Sequence, residues 1–185
     1  DAAVRHATAA VALRPNAAGG HAAVLRSLQV SKLDERSSQG RLALSHAEQL
    51  RSIHPSHPAI DGLVGELSVR ANQYFEGQDP ASAKRAVEFA LRLRARNAMT
   101  YARLAISLRE RGLSMLALLA AETAKEVEPE SPIPFVALGY IYYELGNTEM
   151  ALKYFRQATE LDPKSTWIQR NLCLLYTSPS PRDSC

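Results

Sequence analysis

The sequence predicts an all-α fold, a solenoid in which helices stack in pairs along the chain. Three observations predict it. Small and apolar residues recur every 34 residues in the second half of the chain and every 40 in the first, which marks repeated two-helix units. Helix punctuation agrees with that spacing. Asp79-Pro80 and Ser131-Pro132 each offer an N-cap followed by proline at the first helical position, and Gly112 and Gly146 fall where a first helix must stop and turn. Finally, 46% of the 185 residues are hydrophobic and 22% charged, an ordinary globular composition that excludes wholesale disorder and collagen-like chains. The longest nearly apolar run, Leu113 to Ala121, is interrupted by Ser114 and falls far short of the roughly 20 residues that span a bilayer.

Taken in order, helices are expected over 2–14, 18–34, 41–54, 58–76, 80–95, 98–111, 114–127, 132–145, 148–161 and from 166 into the tail. The second helices of the early units share a half-motif. It reads Ala3, Ala7, Ala10, Pro15, then Ala43, Ala47, Leu50, Pro55, then Ala83, Val87, Ala90, Ala95. Their first helices carry Ser, Gln and Arg at several core slots, so these units read as divergent, with a first helix or loop longer by about six residues. From Ala98 the register tightens. Tyr101, Leu104, Ala105 and Leu108 precede Ala117, Ala121, Ala124 and Pro129. The next unit repeats them as Phe135, Leu138, Gly139 and Tyr142, then Ala151, Phe155, Ala158 and Pro163. Gln169 and Leu172 begin a further unit.

The last complete unit, an aromatic, Leu-Gly, Tyr, then Ala, Phe, Ala and Pro, resembles the tetratricopeptide repeat, whose period is 34. The resemblance is near complete over 132–165, good over 98–131, moderate over 58–97 and divergent over 1–57, with 166–172 starting another helix. It implies a right-handed α-solenoid. Gly139 and its equivalents Ala105 and Ala71 would stand where two helices meet at close range, Ala151 and Ala158 on the small side of the same contact, and Tyr142 and Phe155 between layers. A large residue at Ala151 would overpack it.

In the resembling family the concave face, lined by the first helix of each pair, holds a partner peptide or helix. The slots facing it here are Met99, Arg103, Ile106 and Arg109, then Ile133, Val136, Tyr140 and Tyr143, then Trp167 and Arg170. Rings beside arginines are the composition of a protein-binding hot spot. On this reading Tyr140→Ala weakens binding and leaves thermal stability nearly unchanged. The family's carboxylate clamp, a fixed set of Lys, Asn and Arg side chains, is not matched. Its slots hold Ala102, Ile106, Ala137, Trp167 and Asn171, or one repeat earlier Ser68, Asn72, Arg103, Ile133 and Ala137, with one fit in each set. An apolar or amphipathic segment is therefore the expected ligand.

Charge is uneven along the chain. Lys84 to Arg111 holds eight basic residues against Glu88 and Glu110, and 112–165 is net acidic. A solvated face with Lys84–Glu88 pairing is the expected use. Nucleic acid is disfavoured, since Phe89 is the one ring among the basic residues of helix 80–95, while self-association through basic and acidic halves stays open. His54 and His57 are close but lack the further ligands a zinc site needs, and His6, His21 and His46 read as isolated. No phosphate-cradling loop, nucleophile elbow or metalloprotease helix is present, so no catalysis, cofactor or metal is expected.

The function expected is a non-catalytic protein-interaction scaffold. The alternative is the interaction arm of a larger enzyme or of a bacterial secretion or polysaccharide-export system. Residues 173–185 resemble translated sequencing-adaptor read-through, although a Pro/Ser linker has the same composition. With no methionine at residue 1, the chain is read as a fragment whose compartment the sequence leaves open.

Overall fold

The computed structural model describes residues 2–29, 33 and 37–177. Among them are ten α-helices and no strand. They fall into two compact units, Asp1–Arg96 and Asn97–Cys185. Residues 178–185 of the suspected read-through tail lie outside the described residues.

The first unit holds α1 (Ala2–Leu13), α2 (Ala18–Ser27), α3 (Ser38–Ile53), α4 (Pro58–Glu76) and α5 (Pro80–Arg92). Helix α1 packs on α2, where a Cβ on Gly20 would lie 3.0 Å from Val11 Cγ2. Ala3 and Ala10 stay exposed, so this helix does not bury the small stripe its half-motif suggests. Helix α2 ends well before residue 34. Leu28 is extended (φ −73°, ψ 144°), and Ser27 Oγ donates to Val24 O at 2.8 Å. Leu28 and Leu33 are buried without being helical, which explains why an apolar pattern continues where the helix does not. Helix α3 starts earlier than expected because Ser37 caps it, its hydroxyl accepting from Gly40 N at 2.8 Å.

The spacing of 40 thus has two origins. Between α2 and α3 a linker supplies the extra residues, whereas α4 is itself 19 residues long against 13 in the corresponding α6 and α8.

The second unit holds α6 (Ala98–Glu110), α7 (Ser114–Val127), α8 (Pro132–Glu144), α9 (Thr148–Leu161) and α10 (Thr166–Thr177). Helices α6 and α7 form one antiparallel pair, α8 and α9 the next, and α6 also packs on α8. The turns between partners place Gly112 and Gly146 at φ 73° and 74°, a left-handed conformation that glycine adopts without steric penalty. Asn147 caps α9, accepting from Met150 N at 3.1 Å. Asp79 caps α5 by accepting from Ser82 N at 3.0 Å. Ser131 stands at the N-cap of α8 but makes no capping bond, so proline alone marks that start.

Helix α8 is apolar around its circumference and buries Pro134 to Gly139 and Ile141, as an interior helix must. The seam with α9 is as tight as the Leu-Gly motif implies. A Cβ on Gly139 would lie 2.6 Å from Phe155 Cε2. Ala151 and Ala158 are fully buried beside it. Tyr142 stacks on Tyr154 with ring centroids 5.4 Å apart. The Tyr154 hydroxyl donates to Glu122 at 3.3 Å, and burial, then that carboxylate, pushes the phenol pKa up to about 12.

Candidate functional site

Three first helices of the second unit, α6, α8 and α10, carry the side chains singled out for partner binding. Helical spacing puts Ile106 and Arg109 on one stripe of α6, Ile133, Val136, Tyr140 and Tyr143 on one stripe of α8, and Trp167, Arg170 and Asn171 on one stripe of α10. Trp167 is 48% exposed and Met99 40%, while Arg103 and Arg170 are exposed and Ile106, Ile133 and Tyr143 half-buried. Val136 is an exception to the expected lining. It is only 3% exposed, because α8 is apolar on every side and buries this slot as well. Ala102, in a facing slot of α6, is buried too.

The structure brings part of this set together around Tyr140. The Arg109 guanidinium sits over its ring, 5.4 Å from the centroid, a geometry that favours cation–π attraction. Arg109 Nε approaches the Glu144 carboxylate at 3.5 Å, and its Nη2 lies 3.8 Å from Glu110. Neither distance is a charge-assisted hydrogen bond, which closes to about 2.7–2.9 Å. Beneath the face, Tyr140 meets Phe155 edge-on, with centroids 5.2 Å apart and planes at 89°. Burial pushes the phenol pKa up, while Arg109, Arg170 and the Asn171 amide act in the opposite direction. The phenol is therefore a hydrogen-bond donor at neutral pH.

Arg109 Nε is buried without a hydrogen bond, the Glu144 carboxylate standing 3.5 Å away, and the buried Asn171 amide faces the Tyr140 hydroxyl as a donor. An orphaned buried donor costs about 1–3 kcal/mol. Two expected residues of α6 lie away from the cluster. Arg103 lies six residues from Arg109 and Met99 ten, about 9 and 15 Å along the helix.

The edge-on contact with Phe155 revises the expected behaviour of Tyr140→Ala. Such pairs are worth about 0.5–1.5 kcal/mol beyond area burial, so truncation costs stability as well as any contact to a partner. Asn171 and Glu144 lie outside the slots expected to line the groove. Glu144 has a sequence signal, standing four residues after Tyr140 on the same stripe. The signal for Asn171 is weaker: it is the one fitting slot of an otherwise unmatched clamp.

The histidines of the first unit also depart from expectation. His21 and His46 are not isolated. Both are buried, and their Nδ1 atoms are 2.8 Å apart. His21 Nε2 donates to Pro15 O at 2.7 Å, which leaves His21 Nδ1 to accept from His46. Burial, then His21, holds the His46 pKa below its ordinary value. His57 Nδ1 accepts from Ala59 N at 3.1 Å and so caps α4, a structural use of the pair with His54. Phe89 is 2% exposed, so the ring among the arginines of α5 is interior and offers no stacking surface. Lys84 and Glu88 pair along α5 at 3.8 Å. Among the described residues, no helix is long and apolar enough to cross a membrane.

Paired helices with small residues at the seams define a class, the all-α helical-repeat solenoid, a scaffold architecture for protein–protein contact. Residues 135–165 match the tetratricopeptide repeat family. The α8–α9 pair is thus a tetratricopeptide repeat, and the chain is a solenoid protein that carries it.

Among curated proteins, a stretch of 43 residues is 46% identical to the protein CTR9 homolog of Arabidopsis thaliana, covering 23% of this chain and 4% of that protein. Among solved structures, a thermophilic tetratricopeptide-repeat protein of Thermus thermophilus is 17% identical with a TM-score of 0.48, over 94% of this chain and 88% of that one. The human IFIT1 dimer with PPP-AAAA is 16% identical with a TM-score of 0.46, over 94% of this chain and 40% of that one. The chain therefore spans well under half the length of the plant and human proteins it matches.

Proposed function

We propose that this chain is a non-catalytic scaffold that holds a peptide or helix of a partner protein on the α6–α8–α10 face. The observation that carries the reading is the composition of that face. Trp167 is about half exposed, with Tyr143 and Ile106 half-buried and arginines beside them. Exposed rings with few rotors bury large area at low entropic cost, which is what a binding hot spot needs.

The test is a random peptide library displayed and panned against the full chain. Selected peptides should lose about tenfold or more in affinity on Trp167→Ala or Tyr143→Ala, a loss of at least about 1.4 kcal/mol. Melting temperatures should stay near that of the unaltered chain, because neither side chain is core. Selected peptides that bind both variants undiminished, or a library that returns no binder, count against this face.

A further inference from the structure

The outward face of α7 departs from those of the other second helices. This helix packs on α6 and α8 and fully buries Ala117, Ala120, Ala121 and Ala124. On its other side Met115, Leu119, Glu122 and Glu126 form a stripe at helical spacing. Met115 is 80% exposed and Leu119 50%, with Leu116 and Leu118 half-buried beside them. In the neighbouring second helices the same two slots suit water. They hold Glu149 and Lys153 in α9, and Ala81 and Arg85 in α5, all exposed. The apolar run from Leu113 to Ala121 therefore extends beyond what the seam uses. Adjoining apolar side chains left in water mark a contact surface.

We propose that this stripe docks a second copy of the chain, α7 against α7 in antiparallel orientation about a two-fold axis. The charges at its ends select that occupant. Arg111 stands exposed in the turn at the N-terminal end of α7, and Glu122 and Glu126 follow the apolar residues toward the C-terminal end. An antiparallel pair centred near Ala117 sets Met115 of each copy opposite Leu119 of the other. It also brings Arg111 of each copy toward Glu122 of the other, whereas a parallel pair would set like charges side by side. The helix dipoles favour the antiparallel arrangement as well. A two-fold contact closes on itself, so the assembly stops at a dimer. One helix stripe offers less than the roughly 800 Å² per partner of a standard interface, so the dimer is weak, with a Kd on the order of 10–100 μM. The stripe turns away from α6 and α8, so pairing leaves their outer face uncovered and presents it twice.

Sedimentation equilibrium of the full chain, from about 1 to 500 μM with a reductant to keep its cysteines from cross-linking, tests this. The average mass should climb from that of one chain toward that of two. Met115→Glu and Leu119→Lys, which install the residues of α9, should each raise the Kd about tenfold or more. Both side chains are exposed, so an unchanged melting temperature serves as the control. Arg111→Glu should weaken the dimer about threefold or more at low salt.

A chain that stays monomeric throughout, or a dimer indifferent to Met115→Glu and Leu119→Lys, overturns the proposal. A mass that climbs past two chains overturns the closed pairing, and an unchanged Kd on Arg111→Glu overturns the antiparallel register. None of these readouts depends on a peptide binding at the α6–α8–α10 face, so the two readings stand or fall separately.

Discussion

Gly139 shows how one missing methyl group governs a helix pair. A Cβ at that position would lie 2.6, 2.7 and 2.9 Å from three ring carbons of Phe155, and the edge-on Tyr140 ring keeps Phe155 from swinging aside. Gly139→Ala should therefore destabilise the fold. Overpacking of this kind costs about 1–3 kcal/mol and outweighs the gain of up to about 1 kcal/mol from better helix propensity. A lowered urea midpoint with an unchanged slope would show it. The His21–His46 pair makes a second prediction at this scale. Because His46 has a lowered pKa in the folded state, the unfolded chain binds protons more readily. Stability contributed by this residue is complete above the ordinary imidazole value of about 6.5 and declines as pH falls below it. His46→Leu should flatten the fall in urea midpoint between about pH 8 and pH 5.5; an equally steep fall in both proteins would contradict the assignment. The two residues differ in legibility. Gly139 announces itself through the Leu-Gly-x-x-Tyr spacing, whereas His21 and His46 lie 25 residues apart, and their pairing exists only once α2 and α3 are packed.

At the level of the element, the turn after α4 is the informative one. Gly112 and Gly146 hold the left-handed position after α6 and α8, and 34 residues before Gly112 the same conformation falls on Gln78, at φ 60°. A residue with a Cβ is strained there. Gln78→Gly should raise stability by up to about 1 kcal/mol, or about 2–4 °C in melting temperature for a chain of this size. A fall in melting temperature would show that the Gln78 side chain contributes more than its backbone costs. Helices α6 to α9 were legible to within a residue or so, because each is followed by a glycine or a proline, and α8 and α9 also start at a proline or a capping asparagine. The end of α2 was not. Leu28 is apolar and buried, and periodicity alone does not distinguish a buried linker residue from one more helical turn.

For the molecule as a whole, the repeat period translated into structure because a stacked unit buries its apolar face against its neighbours in sequence. That is why ten helices could be placed from spacing, while the extra six residues of the early units could be placed only as helix or loop. The candidate face was partly legible for the same reason. Ile106, Arg109, Tyr140, Tyr143, Trp167 and Arg170 follow from slot counting. The burial of Val136 depends on α8 being apolar all round, and the role of Asn171 on the Tyr140 hydroxyl that α8 sets opposite it. One consequence follows for the second unit. The Arg109 guanidinium rests on Tyr140, Tyr140 on Phe155, and Phe155 on the gap left by Gly139. The outer face and the rear layer of helices are thereby coupled through a column of touching rings. Trimming Phe155, which is buried beneath Tyr140, would loosen the support of that ring and of the guanidinium resting on it.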